Sequence, residues 1–390
     1  MGRVLLVAAF TVLALMWLST AAANAETPAD ASPKADAETT AATVSGRYIV
    51  TVKAGNDANE IASAVRANPT HLYRSALNGF AAALNDGQLN ALRHNPKVEA
   101  IEADQVASTQ ATQYMNSAGD PWGLDRIDQR SLPLSRTYFY SRNGYPARAY
   151  VIDTGVQSNH PDYNGRGYTI YNATTGTGTD CHGHGTHVAG TIAGTTWGVA
   201  KGALIRGVKV LGCDGRGSYA DIIEGIDWVR ANAIKPAVAN MSLGGGYSSA
   251  VNTATNNLSN SGVLVAVAAG NDNLNACNYS PASAANAFTT ASSTRYDQKS
   301  SFSNYGACVD GYAPGSNIKS STLGGGSGWM SGTSMASPHV AGVGALLCSY
   351  GATYCTPSYI TSWIKNNATI GKISGNPAYT SNRLLWKGSL

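Results

Sequence analysis

The chain has 390 residues, of which 43% are hydrophobic and only 13% are charged, and it contains 43 glycines. This composition is typical of a loop-rich globular protein and excludes a disordered or fibrous one. The formal net charge is +4, and the sequence has no patch of clustered Lys and Arg interleaved with aromatic residues. Nucleic acid is therefore not an expected partner. The length allows more than one domain and a large buried core.

The N-terminus has the pattern of a secretory signal peptide over residues 1–25. Arg3 precedes an apolar run from Val4 to Leu18, and small residues follow up to Ala23-Asn24-Ala25, an A-x-A cleavage site. The run is shorter than the ~20 residues that a membrane span needs, and no later segment is apolar enough to span. We expect a secreted, extracellular protein that has no membrane partner.

Residues 26–45 have almost no bulky apolar side chains, which predicts a disordered linker. The pattern of residues 46–110 predicts a small α+β domain. Its elements are a strand at Tyr48–Val52, a helix at Asn59–Ala67, a strand at Gly79–Leu84, a helix that contains Leu89, Leu92 and His94, and a strand at Val98–Glu102. Residues 103–120 are polar and rich in Ser, Thr and Gln, and we interpret them as a connector.

From Trp122 onward, short apolar strands alternate with helical patterns, so residues 111–390 form a second predicted domain. The strands are Ala149–Ile152, Ile205–Leu211, Ala237–Met241 and Val263–Ala268, and the helices are His187–Thr195, Asp221–Asn232 and Val251–Ser261. This alternation predicts an α/β fold with a parallel, doubly wound sheet. In such sheets, ligands and chemistry gather at the carboxyl ends of the strands.

All six cysteines lie in the second domain. An even number of cysteines behind a signal peptide predicts three disulfides, although the count alone leaves the pairing open. No C-x-x-C pair occurs, so a zinc knuckle or a thioredoxin-like site is not expected.

Three segments carry candidate catalytic residues. Val151-Ile152-Asp153-Thr154-Gly155 puts an acid at the end of a buried strand, where an Asp could equally cap a loop. A small-residue helix begins near His182-Gly183-His184-Gly185-Thr186-His187, and another opens at Gly332-Thr333-Ser334, where Ser334 could be an ordinary N-cap. Together they supply a nucleophile, a base and an orienting carboxylate, the three parts of a triad.

The order Asp153, His184, Ser334 is that of subtilisin. The three segments resemble the signatures of the subtilase family of serine endopeptidases, and are most similar to its proteinase K and aqualysin-like branch. Pro121–Gln129 and Ser301–Gly306 support the resemblance, which covers Trp122 to the C-terminus. It implies peptide-bond hydrolysis through an acyl-enzyme, with His184 rather than His182 or His187 as the base.

The resemblance also implies residues that bind the substrate. Asn271, which follows a buried strand in Ala268-Ala269-Gly270-Asn271, would donate its amide to the oxyanion. Gly215–Tyr219 and Ser242–Gly246 resemble two strands that hold an extended peptide, and they imply broad specificity with a preference for apolar or aromatic residues before the cut. The implied substrate-binding residues are Gly215, Gly217, Tyr219, Ser242, Leu243, Gly244 and Ala269.

Disulfides and structural calcium follow from the same resemblance. It implies the pairs Cys181–Cys213 and Cys277–Cys308, which leaves Cys348–Cys355. Asp310 with the main-chain oxygens of Ala285 and Ala287 matches a calcium site of hard oxygen ligands. Asp125, Asp128 and Gln129 match half of a second site, but the remaining ligands fall at Ser135 and Thr137, where an acid is missing.

Residues Arg47 to Val106 resemble the family's inhibitory prodomain, which implies a ferredoxin-like unit that acts as an intramolecular inhibitor. Self-cleavage is expected between about Ala107 and Asp120, with a position near Ala111 preferred. The expected partners are protein and peptide substrates and the chain's own prodomain, and we expect a monomer.

The sequence leaves three alternative functions open. The spacing His182-x-His184-x-x-His187 is similar to the H-x-H-x-D-H pattern of metallohydrolases, but Thr186 stands in place of the acid and no H-E-x-x-H occurs. A lipase-like hydrolase would need G-x-S-x-G, and Ala336 replaces its second glycine. A non-enzymatic binding protein on this fold would be expected to have lost a triad member.

Overall fold

A computed structural model of the protein describes residues 43–109, 112–114 and 121–390. The N-terminal module, residues 43–109, has the order strand, helix, two strands, helix, strand. Its elements are β1 Thr43–Val52, α1 Ala58–Ala64, β2 Pro69–Tyr73, β3 Gly79–Ala83, α2 Asp86–Arg93 and β4 Val98–Thr109. The strands are antiparallel in the order β4-β1-β3-β2. This ferredoxin-like α+β arrangement confirms the expected fold of the module.

Local capping explains where the two helices of the module begin. The Asp57 carboxylate accepts the Asn59 N–H at 2.7 Å at the start of α1. Asn85 and Gln88 form a capping box at the start of α2. The apolar faces of both helices cover the sheet and form one small core, with Val50, Val52, Ala58, Ile61, Ala62, Phe80, Ala82, Leu84, Leu89 and Leu92.

The module differs from the sequence prediction at three places. β1 begins at Thr43, inside the predicted linker, because it pairs there with β4. The pattern missed β2, in which only Tyr73 is buried and the other residues are half-buried or exposed. β4 continues to Thr109 into the predicted connector, because its backbone pairs with strands of the second region, a contact that the polar side-chain pattern does not reveal.

The second region is built on a large parallel sheet. Among the described residues, nine strands follow the order β18-β19-β15-β14-β12-β10-β6-β8-β7. The pairs from β19 through to β7 are parallel, and only β18 is antiparallel to its neighbour. Their bounds are β6 Arg148–Asp153, β7 Gly167–Asn172, β8 Leu204–Lys209, β10 Ala237–Met241, β12 Leu264–Ala268, β14 Phe288–Ser293, β15 Gly311–Pro314, β18 Thr369–Ile370 and β19 Arg383–Leu384.

Short strands border this sheet: β5 Thr112–Tyr114, β9 Arg216–Ser218, β11 Leu243–Gly246, β13 Tyr279–Ser280, β16 Ile318–Thr322 and β17 Gly326–Ser331. The helices are α3 Trp122–Asp128, α4 His184–Ala193, α5 Tyr219–Asn232, α6 Ser249–Asn260, α7 Thr333–Cys348 and α8 Pro357–Asn367. The parallel α/β prediction is therefore confirmed, and the predicted elements lie within a few residues of their observed bounds.

Helix α7 lies in the centre of the second region and every one of its residues is buried. From Val340 to Cys348 it is apolar on all sides, as a fully enclosed helix requires, and its four polar residues lie in the first two turns. The core on its side of the sheet includes Val188, Leu264, Val340 and Leu346. On the other face, α5 and α6 pack through Ile223, Ile226 and Leu258.

Three disulfides cross-link the second region, and they join the same pairs that the family resemblance implies. Cys181–Cys213 and Cys277–Cys308 close loops of 32 and 31 residues, and Cys348–Cys355 closes one of 7. In the part of the chain that the structure describes, no helix is both long and apolar enough to cross a membrane. The predicted signal peptide lies outside the described residues.

Candidate active site

The candidate catalytic residues come from the carboxyl edge of the central strands. Asp153 is the last residue of β6, and Ser242 follows the last residue of the neighbouring strand β10. Asn271 follows the end of β12, the next strand along. Because parallel strands end on the same side of a sheet, three separate segments of sequence meet at one edge.

Asp153 and His184 form a buried hydrogen-bonded pair. The Asp153 Oδ1 atom lies 2.8 Å from His184 Nδ1, and the side chains are 0% and 1% exposed. The Thr154 N–H donates to the same carboxylate oxygen at 2.7 Å. A Cβ atom at Gly185 would lie 2.1 Å from the Gly155 carbonyl oxygen, so only glycine lets α4 approach the end of β6 closely enough for this pair to form.

The other two histidines of the motif have different surroundings. His182 is exposed, in the loop before α4. His187 is fully buried inside α4, and its Nε2 atom faces the carbonyl oxygens of Ile318 and Gly328 at 3.0 and 3.2 Å. Burial lowers the pKa of His187 to about 3. A histidine that is neutral, enclosed and bonded to two carbonyl groups has a structural role.

Ser334 is the second residue of α7 and is fully buried. Its hydroxyl donates to the main-chain carbonyl of Ser242 at 3.1 Å. Within the described residues, no group forms a hydrogen bond with His184 Nε2, the ring nitrogen that faces away from Asp153. In enzymes without substrate, the hydrogen bond between nucleophile and base is often long or poorly aligned.

Asn271 is held beside the start of α7. Its side-chain oxygen accepts two hydrogen bonds of 2.9 Å from Thr333, one from the main-chain N–H and one from the hydroxyl. Gly270 has φ +103°, and a Cβ atom there would lie 2.2 Å from Asn304 Nδ2. The turn after β12 therefore requires glycine, and the Asn271 amide group is left as the donor end of the side chain.

The end of the N-terminal module lies between the two predicted substrate-binding strands. β4 is antiparallel to β9, with Ala107 opposite Gly217 and Ser108 opposite Arg216. It is also antiparallel to β11, with Thr109 opposite Leu243 and Ser108 opposite Gly244. Strand β4 thus adds an extended backbone to both edges, in the manner of a peptide bound by strand addition.

The remaining predicted substrate-binding residues lie in the turn before β9, at the start of α5 and directly after β12. Gly215 has φ +75° in the turn before β9. Tyr219, at the start of α5, is buried and donates its hydroxyl to the Gly246 carbonyl at the end of β11. Ala269 is completely enclosed, with its N–H bonded to the Thr290 carbonyl at 3.0 Å.

Two carboxylates of β4 contact the first turns of the helices α5 and α6. Asp104 is fully buried and accepts the Ala220 N–H at 3.1 Å. Glu102 accepts the Ser248 hydroxyl at 2.5 Å and the Ala250 N–H at 3.2 Å. Burial raises the pKa of both carboxyl groups. Helix N-termini favour negative charge, so these contacts join the N-terminal module to the surface beside the site.

The predicted calcium site at Asp310 has the right donor type but also contains a cation of the protein. Asp310, Ala285, Ala287 and Lys365 line one cavity of about 520 Å³. Carboxylate and carbonyl oxygens are the ligands that calcium prefers. The Lys365 ammonium, however, lies 2.6 Å from Asp310 Oδ1, and the Thr289 N–H donates to Oδ2 at 2.8 Å. Calcium fits this site only after Lys365 has moved away.

The second predicted site does not fit calcium. Asp125 Oδ1 accepts the main-chain N–H and the hydroxyl of Ser135, and its Oδ2 accepts the Arg136 N–H at 2.6 Å. Asp128 pairs with the fully buried ammonium of Lys387 at 3.0 Å. These carboxylates are therefore satisfied by donors of the protein itself, and we propose no metal there.

Some contacts of the site had no signal in the sequence prediction. The Asn240 side chain forms hydrogen bonds with the side chains of Ser242 and Ser337. Lys365 and Lys387, from the C-terminal part of the chain, form ion pairs with predicted calcium ligands. Pro338 was the one available signal, because a proline inside a helix leaves a carbonyl group without its usual donor.

Comparison with known proteins identifies the family. The model of the subtilase family matches residues 150–384. The chain belongs to the subtilase family. The model of the I9 peptidase inhibitors matches residues 47–110. The chain is thus a serine endopeptidase with an N-terminal inhibitory prodomain, which excludes the metallohydrolase, lipase-like and non-enzymatic alternatives.

The relatives include an extracellular serine proteinase of Thermus sp. (strain Rt41A), 48% identical over 81% of this chain and 77% of that protein. Proteinase R of Parengyodontium album is 43% identical over 88% of this chain and 89% of its own length. The crystal structure of a cold adapted subtilisin-like serine proteinase is 49% identical and has a TM-score of 0.67. The match covers 69% of this chain and 98% of the chain in that crystal structure. The proteinase K branch is thereby confirmed.

Proposed function

We propose that this chain is the precursor of a secreted endopeptidase that cleaves peptide bonds through an acyl-enzyme, with Ser334 as nucleophile, His184 as general base and Asp153 as the orienting carboxylate. The observation that carries the proposal is the buried Asp153–His184 hydrogen bond, together with the position of Ser334 in the first turn of α7. A serine hydroxyl is a weak nucleophile, and it needs a neutral imidazole to take its proton.

The Asp153 carboxylate selects the tautomer of His184. Because Nδ1 faces the carboxylate at 2.8 Å, it carries the proton, and Nε2 presents a lone pair. The Ser334 hydroxyl at present donates to the Ser242 carbonyl. Rotation about its Cα–Cβ bond turns the hydroxyl towards His184, and attack on the substrate carbonyl then transfers the proton to Nε2. The buried carboxylate stabilises the imidazolium that forms.

The negative charge of the tetrahedral intermediate requires preorganised donors. We assign these to the Asn271 side-chain amide and the main-chain N–H of Ser334. The assignment is supported by the two hydrogen bonds from Thr333 that fix the other end of the Asn271 amide. The Ser334 N–H lies in the first turn of α7, where helix N–H groups have no partner within the helix. Such donors act in a site from which water is excluded.

The substrate backbone lies between β9 and β11, in the place that the end of β4 now occupies. The antiparallel register of β4 with both strands supports this mode. Main-chain hydrogen bonds give affinity for many sequences, which fits broad specificity with apolar or aromatic residues before the cut. The prodomain tail is then both the first substrate and an inhibitor, and self-cleavage near Ala111 releases it.

Two further parts of the proposal concern export and calcium. Residues 1–25 act as a signal peptide, and a relative named as an extracellular serine proteinase supports secretion. Structural calcium binds at Asp310 with the carbonyl groups of Ala285 and Ala287, and it has no part in the chemical step. Lys365 must leave Asp310 when calcium binds.

The experiment that tests the triad is the variant Ser334→Ala, produced with the native signal and linker. Removal of a hydroxyl that makes one neutral hydrogen bond costs only about 1 kcal/mol of stability, so the chain should fold and be exported. Proteolysis should fall by several orders of magnitude because triad members act as a unit. The precursor should therefore keep its prodomain, which gel mobility and the mass of the exported protein measure.

Thr255→Val is a suitable control, because it also removes a buried hydroxyl but lies in α6. It should be processed as the parent chain is. If the Ser334→Ala precursor still lost the mass of residues 26 to about 110 in a host without other proteases, Ser334 would not be the nucleophile.

A further inference from the structure

The helix that carries Ser334 contains an internal proline four positions later, Pro338. In a regular α-helix, the carbonyl of Ser334 would accept the N–H of residue 338. Proline has no N–H, so this carbonyl loses its helical partner. Buried carbonyl groups are almost always paired, so another donor is needed at this position.

Ser242 supplies that donor. Its hydroxyl donates to the Ser334 carbonyl oxygen at 2.8 Å. In return, the Ser334 hydroxyl donates to the Ser242 carbonyl at 3.1 Å. Ser242 therefore contacts Ser334 at two points, one on the backbone and one on the side chain. Both residues are fully buried, and the contact with the Ser334 carbonyl needs a side-chain hydroxyl at position 242.

Two more buried side chains fix the direction of the Ser242 hydroxyl. The Asn240 side-chain amide donates to Ser242 Oγ at 2.8 Å, and the Ser337 hydroxyl donates to the Asn240 side-chain oxygen at 2.7 Å. Since Ser242 Oγ accepts from Asn240, its single hydrogen is directed to the Ser334 carbonyl. The chain of hydrogen bonds leaves α7 at Ser337, crosses to β10 and returns to α7 at Ser334.

We propose that Ser242, Asn240 and Ser337 are positioning residues for the nucleophile. They replace the helical hydrogen bond that Pro338 removes and thereby hold the first turn of α7 in the geometry that catalysis needs. The inference rests on the proposed role of Ser334. Ser337 and Asn240 touch neither the substrate nor the reacting atoms, and they act through Ser242 on the backbone of Ser334.

A double-mutant cycle between Ser242→Ala and Pro338→Ala tests this inference. The Pro338→Ala change restores an N–H that can donate to the Ser334 carbonyl. With Pro338 present, Ser242→Ala should lower kcat by about tenfold, because the carbonyl is left without a donor. In the Pro338→Ala background, the same change should lower kcat by less than about threefold. KM should stay within about twofold throughout.

The measurements are kcat and KM on a chromogenic peptide and the rate at which a serine-directed phosphonofluoridate labels the enzyme. Thermal unfolding of each variant shows whether it is folded. Thr255→Val is the matched control, since Thr255 also donates a buried hydroxyl to a helix carbonyl, that of Val251 at 2.7 Å. It should lower the melting temperature and leave kcat unchanged.

If Ser242→Ala does not fold, Ser337→Ala replaces it, with an expected loss of about threefold in kcat that Pro338→Ala again relieves. An equal loss of kcat in the parent and in the Pro338→Ala background would overturn the inference, and so would an effect on melting temperature alone. The proposed function is tested separately: labelling that persists in Ser334→Ala would refute the assignment of the nucleophile itself.

Discussion

The N-terminal module and the second region are stabilised in different ways. The module, residues 43–109, has one small core between its sheet and two short helices. The second region has large cores on both faces of a parallel sheet and three disulfides. A domain of the module's size buries a smaller fraction of its surface and is marginal by itself.

The module compensates by contacts with its neighbour. Five of its apolar residues belong to the core around α5 and α6, namely Ile49, Tyr73, Ala76, Leu77 and Ala81, and polar contacts add to them. Glu102 and Asp104 bind the first turns of α6 and α5. His71 pairs with Asp221 at 3.3 Å and with Glu224, both on α5. The Asp227 carboxylate accepts the Ser75 N–H at 2.5 Å. The comparison teaches that the module is held largely by the surface it covers, whereas the second region is held by its own interior and by covalent links.

The largest expected effect is the loss of a long covalent loop in the second region. Replacement of Cys181 and Cys213 by alanine should lower the free energy of unfolding by roughly 3–4 kcal/mol on the chain-entropy model. The short loop of Cys348–Cys355 should contribute only about 2–3 kcal/mol. Urea unfolding of both double variants in the Ser334→Ala chain measures the difference. Equal losses would show that loop length does not govern the stabilisation.

Acid should act on the interior of the second region. Burial lowers the pKa of His187 to about 3 and that of His339 to about 4, from 6.5. Below pH 6.5 the unfolded chain takes up protons that the folded chain cannot, so stability falls as the pH falls. Each histidine should cost about 1.4 kcal/mol per pH unit, or about 2 kcal/mol at about pH 5.

The variant His339→Gln tests this. Its free energy of unfolding should fall less between pH 6.5 and about pH 5 than that of the parent, as measured by urea unfolding in the Ser334→Ala chain. His94→Gln, on the exposed end of α2 in the module, is the control and should leave the pH dependence as it was. The same slope in both variants would refute the role of the buried histidine.

A smaller effect is expected at the contact between the two regions. Glu102→Ala removes the acceptor of the Ser248 hydroxyl and the Ala250 N–H. It should raise the population of the detached module by about tenfold, since hydrogen bonds to charged groups contribute about 1.5–3 kcal/mol and burial of the charge offsets part of this. The rate of trypsin cleavage within the module of the full-length Ser334→Ala chain measures that population.

Glu99→Ala is the matched control, because Glu99 lies on the same strand but is exposed. It should be cleaved at the rate of the parent chain. Faster cleavage in both variants would mean that the substitutions weaken strand β4 as a whole, and not specifically the contact of Glu102 with the first turn of α6.

The smallest effect concerns calcium in the second region. Lys365→Met removes the ammonium that pairs with Asp310, so calcium should bind several-fold more tightly, by up to about 1 kcal/mol for a partly exposed ion pair. The melting temperature of the Ser334→Ala chain should then rise more on addition of calcium than that of the parent does. Lys372→Met, an exposed lysine, is the control. A calcium response that is unchanged by Lys365→Met would show that the two cations do not compete.

Local patterns predicted much of the fold and of the candidate site. Strand β10 has its predicted bounds, and α5 and α6 begin within two residues of theirs. The Asp153, His184 and Ser334 motifs were placed at the end of a strand and at the starts of two helices, where they are found. These features depend on the periodicity of apolar residues and on turn-forming glycines. Both signals are local, because they involve residues that are close together in the sequence.

The sequence by itself therefore determined the α/β class, and it is the source of the predicted division into module and second region and of the predicted triad residues. Only the tertiary structure decided the length of β4 and the pairing of Lys365 with Asp310. It also decided the chain of hydrogen bonds that links Ser337 to Ser334 through Asn240 and Ser242. The physical reason is that these contacts join residues far apart in the chain. They depend on backbone groups or single polar atoms that any of several residue types could supply, so they leave no period or motif in the sequence.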